Sequence, residues 1–325
     1  MDYFDQISNG ARENVITLLR DSSETLDTEA KKALFKRNVE IVNLELSYQC
    51  NRKCSYCPVR DSSRQHQQAE MSTDLLVKTC QELALIRYEN RISLNLYNEP
   101  LLDSNLEDKI SLIRQHLPYA HIGFNSNGDL LDSKRVSSLS SAGCDLVRVT
   151  LHPLPNKPQT QSNVERLMRS LLRRLDVSIS PSRPDIARNG LSLRIEGVLV
   201  EVQWPDWNVD GTNRAGVLTD HATIEFRRTS PCIKPFREFT IYSDGLVQPC
   251  CEAFHDSAVT LVEIADLHKA SIFEAYSSRQ MANFRRHLID FSPKSGICAS
   301  CTVPDYSSPA SDSERKSLLE EAIHE

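Results

Sequence analysis

The 325-residue chain has no apolar run approaching the ~20 residues that a membrane-spanning helix requires, so no membrane partner is expected. Its opening stretch, MDYFDQISNG, is acidic and polar, unlike a secretory signal, and a cytoplasmic protein is predicted. Basic residues are not in surplus: 44 acidic side chains face 38 basic ones, a net charge of −6. That balance argues against nucleic acid held through phosphate contacts. Ten cysteines are too few for a small disulfide scaffold. The remainder is ordinary soluble composition, 40% hydrophobic and 25% charged. A chain this long can bury roughly 75% of its unfolded surface. It is long enough for two domains or one large one.

In a reducing compartment, clustered cysteines bind metal more often than they pair with each other. Eight of the ten fall into groups: Cys50, Cys54 and Cys57, then Cys232, Cys250–Cys251 and Cys298–Cys301. Cys80 and Cys144 stand alone and read as small buried apolar residues.

Residues 1–38 read as a helical preface, with Val15, Leu18 and Leu19 as its apolar stripe. Strands are predicted at 39–47, 92–97, 120–125, 145–151, 191–200 and 222–227. Helices are predicted between them at 71–87, 104–116, 133–141 and 162–175. This β-then-α order predicts an α/β fold with a parallel sheet. Six strands are too few for an eight-unit barrel, which favours a partial or open one. The stretches 152–158, 180–185 and 204–207 read as loops because of their prolines. After residue 228 the pattern changes to a hairpin with Asp244–Gly245 as its two-residue turn, then a helix over 271–288. The tail reads as loose or helical. The expected boundaries are 1–38 for the preface, 39–228 for the barrel, 229–306 for the cysteine-bearing module and 307–325 for the tail.

Cys50-x3-Cys54-x2-Cys57 follows the first strand directly. Structural zinc wants four ligands, and the nearest fourth candidate, His66, lies nine residues on. Three thiolates suit a 4Fe–4S cube with one iron left open. CNRKCSYC resembles the cluster motif of the radical S-adenosylmethionine enzymes, with Tyr56 as its aromatic. In that family the open iron chelates S-adenosylmethionine, whose cleavage yields a 5′-deoxyadenosyl radical. The resemblance implies a partial (β/α)6 barrel and supplies further contacts. LYNEPLLD resembles the family's Gly-Gly-Glu-Pro stretch, which holds the cofactor's amino group. Glu99 and Pro100 match, while Tyr97 and Asn98 replace the glycines. A carboxylate suits an ammonium through a charge-assisted hydrogen bond. Ser126, Asn127 and Gly128 resemble the stretch after the third strand. Thr150 and His152 occupy the end of the fourth strand, facing the ribose in the family, although His152 also fits a plain loop residue. Arg194 and Glu196 stand in the fifth-strand position, where the family packs adenine.

The later cysteines offer five thiolates, one more than a 4Fe–4S cluster or a zinc takes. Cys-x-x-Cys alone is common to both. The order cysteine, hairpin, Pro-Cys-Cys, helix, Cys-x-x-Cys resembles the auxiliary-cluster module of the same family, called SPASM. No cysteine follows Cys301, so the shortened "twitch" form with one auxiliary 4Fe–4S cluster is expected. The resemblance implies Cys232, Cys250, Cys298 and Cys301 as its ligands. Cys251 is then a spare thiol, an alternative ligand to Cys250, or a hydrogen-atom donor. Arg227, Arg228, Lys234 and Arg237 flank Cys232 as substrate contacts, cluster-tuning charges or plain surface charge.

The compact module resembles that of antibiotic-aminocyclitol dehydrogenases. The implied reaction is hydrogen abstraction from a small polyhydroxylated or aminated substrate (a sugar, aminocyclitol or nucleoside), ending in dehydrogenation or epimerisation. The preface is too short for the peptide-docking domain of many peptide maturases. A ribosomal-peptide maturase with a separate leader-binding protein remains an alternative, and a non-catalytic iron–sulfur or zinc scaffold a remote one. The resemblance also implies an electron donor such as flavodoxin or ferredoxin.

Overall fold

The computed structural model describes residues 12–62, 64, 67, 69–153, 158–178, 190–205, 207, 211–218, 226–254, 262–304 and 312–324. In chain order the elements begin with α1 (Arg12–Leu19), α2 (Thr28–Asn38), β1 (Ile41–Leu44) and α3 (Thr73–Leu85). Next come β2 (Arg91–Ser93), α4 (Leu106–His116), β3 (His121–Ser126), α5 (Ser133–Ala142), β4 (Leu146–Thr150) and α6 (Gln161–Arg174). Two strands follow, β5 (Gly190–Ile195) and β6 (Val198–Gln203), then the short α7 (Lys234–Arg237). The chain continues through β7 (Glu238–Ile241), β8 (Leu246–Gln248), β9 (Ala265–Asp266), α8 (Ile272–Tyr276), α9 (Arg279–Leu288) and α10 (Asp312–His324). Among the described residues no helix is long and apolar enough to cross a membrane.

Two compact units divide the chain. One comprises Leu44–Met71 and Glu89–Gly211. Its strands run in the order β5-β6-β4-β3-β2. β2, β3, β4 and β6 are parallel, in registers such as Ile92↔Ile122, Phe124↔Val147 and Val147↔Val200. These side chains are fully buried, as expected of parallel strands covered by helices. Local signals set the helix starts: Asp132 caps α5 by accepting from Arg135 N, and Thr160 caps α6 through Asn163 N.

Residues 191–200, expected as one strand, are instead a hairpin. β5 runs antiparallel to β6, with Leu193 opposite Val200. The turn residues Glu196 and Gly197 both take positive φ, 50° and 90°. Two such residues match the twist of flanking strands, and only Gly197 announced the turn in the sequence.

The other unit comprises Met1–Asn43, Ser72–Tyr88 and Thr212–Glu325. Here β1, β7, β8 and β9 are neighbours in that order. The fully buried Phe35 of α2 meets Phe239, Phe273 and Tyr276 edge-on at centroid distances of 5.3, 5.6 and 5.3 Å. The expected β7–β8 hairpin is present. Tyr242 N donates to Leu246 O, so its loop has three residues instead of the two expected, Ser243 joining Asp244 and Gly245, the last at φ 86°. The helix expected over 271–288 is broken in two. Ser278 takes an extended conformation and its side chain accepts from Met281 N, which starts α9 afresh. The tail is helical, and Arg12 of α1 pairs with Glu321 of α10 at 2.7 Å. Most of the strand expected at 222–227 and the loop at 180–185 lie outside the described residues.

Candidate functional site

The loop bearing Cys50, Cys54 and Cys57 leaves β1 through hydrogen bonds that fix its base. Tyr48 N donates to Ala69 O at 3.1 Å, and Glu99 N donates to Gln49 O at 2.8 Å. Cys57 N donates to Cys54 O at 3.1 Å, and a 3-10 turn opens at Pro58. All three thiols are half-buried. Burial pushes the Cys50 thiol up to about 12, and the neighbouring charges of Glu99, Cys57 and Cys54 add to the effect. Such a site disfavours free thiolates, a preference that a bound cation reverses. The loop is braced from outside: Arg52 Nε donates to Asp129 at 2.8 Å, and Asn51 donates to the same carboxylate at 3.1 Å. Neither Asn51, Arg52 nor Asp129 carried a signal in the sequence, because the partners lie far apart in the chain.

Glu99 is 3% exposed. Its carboxylate accepts from Ser126 Oγ at 2.8 Å, Asn127 N at 2.7 Å and Leu101 N at 3.1 Å. Burial raises its pKa, while these bonds pull it down. A carboxylate has about four acceptor sites, so three bonds leave room for one more donor, which suits an ammonium. Pro100 opens the short turn that Glu99 caps. Asn98 is buried; its Oδ1 accepts from Leu96 N at 3.1 Å, and its Nδ2 has no partner among the described residues. Asn127 Nδ2 donates to Asn51 Oδ1 at 2.7 Å, tying this shelf to the cysteine loop.

At the end of β4, buried Thr150 accepts from Gln203 Nε2 at 3.0 Å. His152 meets Tyr56, whose hydroxyl reaches its Nδ1, and the two rings stack at 5.8 Å. Trp207 also stacks on Tyr56, with ring centroids 5.5 Å apart. Burial, with Arg52 adding to it, lowers the His152 pKa to about 3. The sequence named Tyr56 and His152 but gave no reason to join Trp207 to them. The structure does not bring Arg194 and Glu196 to this end. Arg194 pairs with Leu199, the partner of Leu146 at the start of β4, whereas Thr150 pairs with Gln203 at its end. Arg194 is exposed and bonds the Gly197 carbonyl at 2.9 Å, and Glu196 is an exposed turn residue. A hairpin stands where one inward strand was expected.

A second set of thiols belongs to the other unit. Cys232, Cys250, Cys298 and Cys301 line one pocket together with Arg228 and Lys234. Burial raises all four thiols, Cys232 to about 11 and Cys298 to about 12. Among the described residues no three Cys, His, Asp or Glu side chains converge on one ion position. Four thiols lining one pocket make up the sulfur set that a zinc or a 4Fe–4S cluster takes. Cys251 does not line this pocket; Lys234 Nζ donates to its sulfur at 3.2 Å and to Glu238 at 3.0 Å. Arg228 is buried and Arg227 exposed, while Arg237 pairs with Glu40.

Residues 44–177 match the model of the radical SAM superfamily, and residues 232–302 match the SPASM iron–sulfur cluster-binding domain. An S-adenosyl-L-methionine-dependent 2-deoxy-scyllo-inosamine dehydrogenase of Niallia circulans is 24% identical over 262 residues, covering 80% of this chain and 92% of that protein. A probable GTP 3′,8-cyclase of Methanococcus aeolicus is 27% identical over 160 residues, 46% of this chain and 50% of that protein. Among solved structures, BtrN in complex with AdoMet and 2-DOIA superposes with a TM-score of 0.62 at 21% identity, over 83% of this chain and 96% of that one. That likeness shows the α/β fold of a partial radical SAM barrel. The chain therefore belongs to the radical SAM superfamily, as an enzyme with a SAM-binding 4Fe–4S cluster and an auxiliary iron–sulfur cluster in a SPASM-type domain.

Proposed function

We propose that this enzyme dehydrogenates a small polyhydroxylated or aminated ring, with an aminocyclitol as first candidate. The observation carrying this reading is the nearly end-to-end match with the inosamine dehydrogenase, 92% of that protein. The match to the cyclase stops at half its length.

In this reading Cys50, Cys54 and Cys57 hold the first cluster, and Cys232, Cys250, Cys298 and Cys301 hold the auxiliary one. When bound, the first cluster and S-adenosylmethionine supply the 5′-deoxyadenosyl radical that removes a hydrogen atom from substrate. Glu99 receives the ammonium of the cofactor at its fourth acceptor site, with Ser126 and Asn127 fixing the carboxylate's direction. The orphaned Nδ2 of Asn98 offers a donor beside it. Tyr56, His152 and Trp207 form a stacked aromatic group beside Cys54, whose sulfur lies 4.0 Å from His152 Nδ1. Arg194 and Glu196 take no part. The barrel and auxiliary module divide near residue 228, and reducing electrons come from a flavodoxin- or ferredoxin-type donor.

The test is incubation of reduced, reconstituted enzyme with ring-deuterated aminocyclitols. Deuterium in 5′-deoxyadenosine and a product two electrons more oxidised are expected. Absence of transfer from every aminocyclitol contradicts the substrate class. Transfer with an unoxidised epimer contradicts dehydrogenation.

A further inference from the structure

Arg228 is 2% exposed and lies in the wall of the pocket that Cys232, Cys250, Cys298 and Cys301 line. Buried guanidinium groups ordinarily face a carboxylate. Lys234, the other cation lining this pocket, obeys that rule, meeting Glu238 at 3.0 Å, and Lys294 nearby meets Asp290 at 3.1 Å. Arg228 forms no ion pair with a carboxylate among the described residues. Its side chain donates only to carbonyls: Nε to Ser230 at 2.9 Å, Nη1 to Cys301 at 3.3 Å and to Val303, and Nη2 to Pro231. Its backbone adds two more ties, N to Ala299 O at 2.8 Å and O from Lys294 N at 2.9 Å.

Two consequences follow. The segment carrying Cys232 and the segment carrying Cys298 and Cys301 are fastened to each other through this one residue. A full positive charge is also enclosed beside thiols whose sulfurs feel it: Cys232, Cys298 and Cys301 all do. Carbonyl dipoles satisfy the donors, and among the described residues no carboxylate pairs with the charge; Glu252, in the same pocket, pairs with Arg214 at 3.3 Å. Four cluster-ligating thiolates would supply the opposite charge.

We propose that Arg228 is the resident counter-charge of the auxiliary iron–sulfur site, fastening its two thiol-bearing segments and raising its reduction potential. The proposal rests on the assignment of that cluster to these four cysteines. Reduction adds a negative charge to the centre, and a fixed cation in a dry wall favours the reduced form. Net charge and hydrogen bonding are among the levers that set such potentials. Arg228 is a positioning residue and touches no reacting atom.

The experiment is an anaerobic redox titration of the full-length chain with Cys50, Cys54 and Cys57 replaced by alanine, so that only the auxiliary centre reports. This parent should hold about four irons. Arg228→Gln keeps amide donors for the carbonyls but removes the charge. It should retain iron and reduce with at least a tenfold weaker equilibrium constant, about 59 mV more negative for a one-electron couple. Arg228→Lys keeps the charge and should stay within tenfold of the parent. An iron-loaded Arg228→Gln protein with an unchanged midpoint overturns the proposal. Should Arg228→Gln lose its iron, Arg228→Lys decides: an unchanged midpoint supports the counter-charge, and a lowered midpoint or lost iron overturns it. A parent without iron refutes the cluster assignment itself, and is distinguishable because it precedes any change at Arg228.

Discussion

The Ser126 hydroxyl donates to Glu99 at 2.8 Å, so the end of β3 holds a carboxylate that follows β2. The bond makes Glu99 a directed acceptor whose remaining site has a fixed bearing. Replacement by Gln keeps the size but removes the charge and turns one acceptor into a donor facing other donors. Loss of a charged hydrogen bond costs about 1.5–3 kcal/mol. Glu99→Gln should therefore weaken S-adenosylmethionine binding about ten- to hundredfold, with iron content unchanged. Equilibrium binding to the reconstituted protein checks this, and wild-type affinity would refute the role of Glu99.

Gly128 follows that shelf with φ 71°, and a Cβ there would meet Val149 Cγ1 at 2.5 Å. Gly128→Ala should destabilise the protein by about 1–3 kcal/mol from backbone strain alone, with the collision added. Adding Val149→Ala should relieve the clash but not the strained φ. Denaturant melts of the single and double variants separate the two effects.

Glu45 and Arg64 form a buried ion pair, at 0% and 1% exposure, and the guanidinium lies 3.8 Å from the Tyr48 ring centroid. Arg64→Met leaves the carboxylate buried without its cation and should cost about 3–5 kcal/mol. Glu45→Gln combined with Arg64→Met should recover much of that loss. Thermal denaturation of the two variants beside the native chain checks the order.

Cys250 lines the auxiliary pocket and Cys251 does not, its sulfur facing Lys234 instead. Cys250→Ala should lose the auxiliary cluster, lowering iron from about eight to about four per chain. Cys251→Ala should retain both clusters and still cleave S-adenosylmethionine. Iron analysis with 5′-deoxyadenosine assay distinguishes the pair. Persistent cleavage with an altered product would instead favour the hydrogen-donor role of Cys251.

Much of this was legible because the signals are local. The cysteine trio sits on one loop, and the strands, the Asp244–Gly245 turn and the start of α5 each announce themselves within a few residues. The same locality misled at two places. Residues 191–200 look uniformly β-rich, yet the two positive φ values at Glu196 and Gly197 fold them back. Residues 271–288 keep one apolar stripe, yet the Ser278 cap interrupts the helix. What the sequence hid is long-range. The Arg52–Asp129 brace spans 77 residues, and the ties from Arg228 to Cys301 and Val303 span 73 and 75. No periodicity or composition records such pairs.

The most direct measurement is cleavage of S-adenosylmethionine by the anaerobically reconstituted, reduced protein, with iron counted in the same sample. About eight irons and 5′-deoxyadenosine are expected from the native chain, and about four irons with no 5′-deoxyadenosine after joint replacement of Cys50, Cys54 and Cys57 by alanine. Undiminished cleavage by that triple variant would contradict the account.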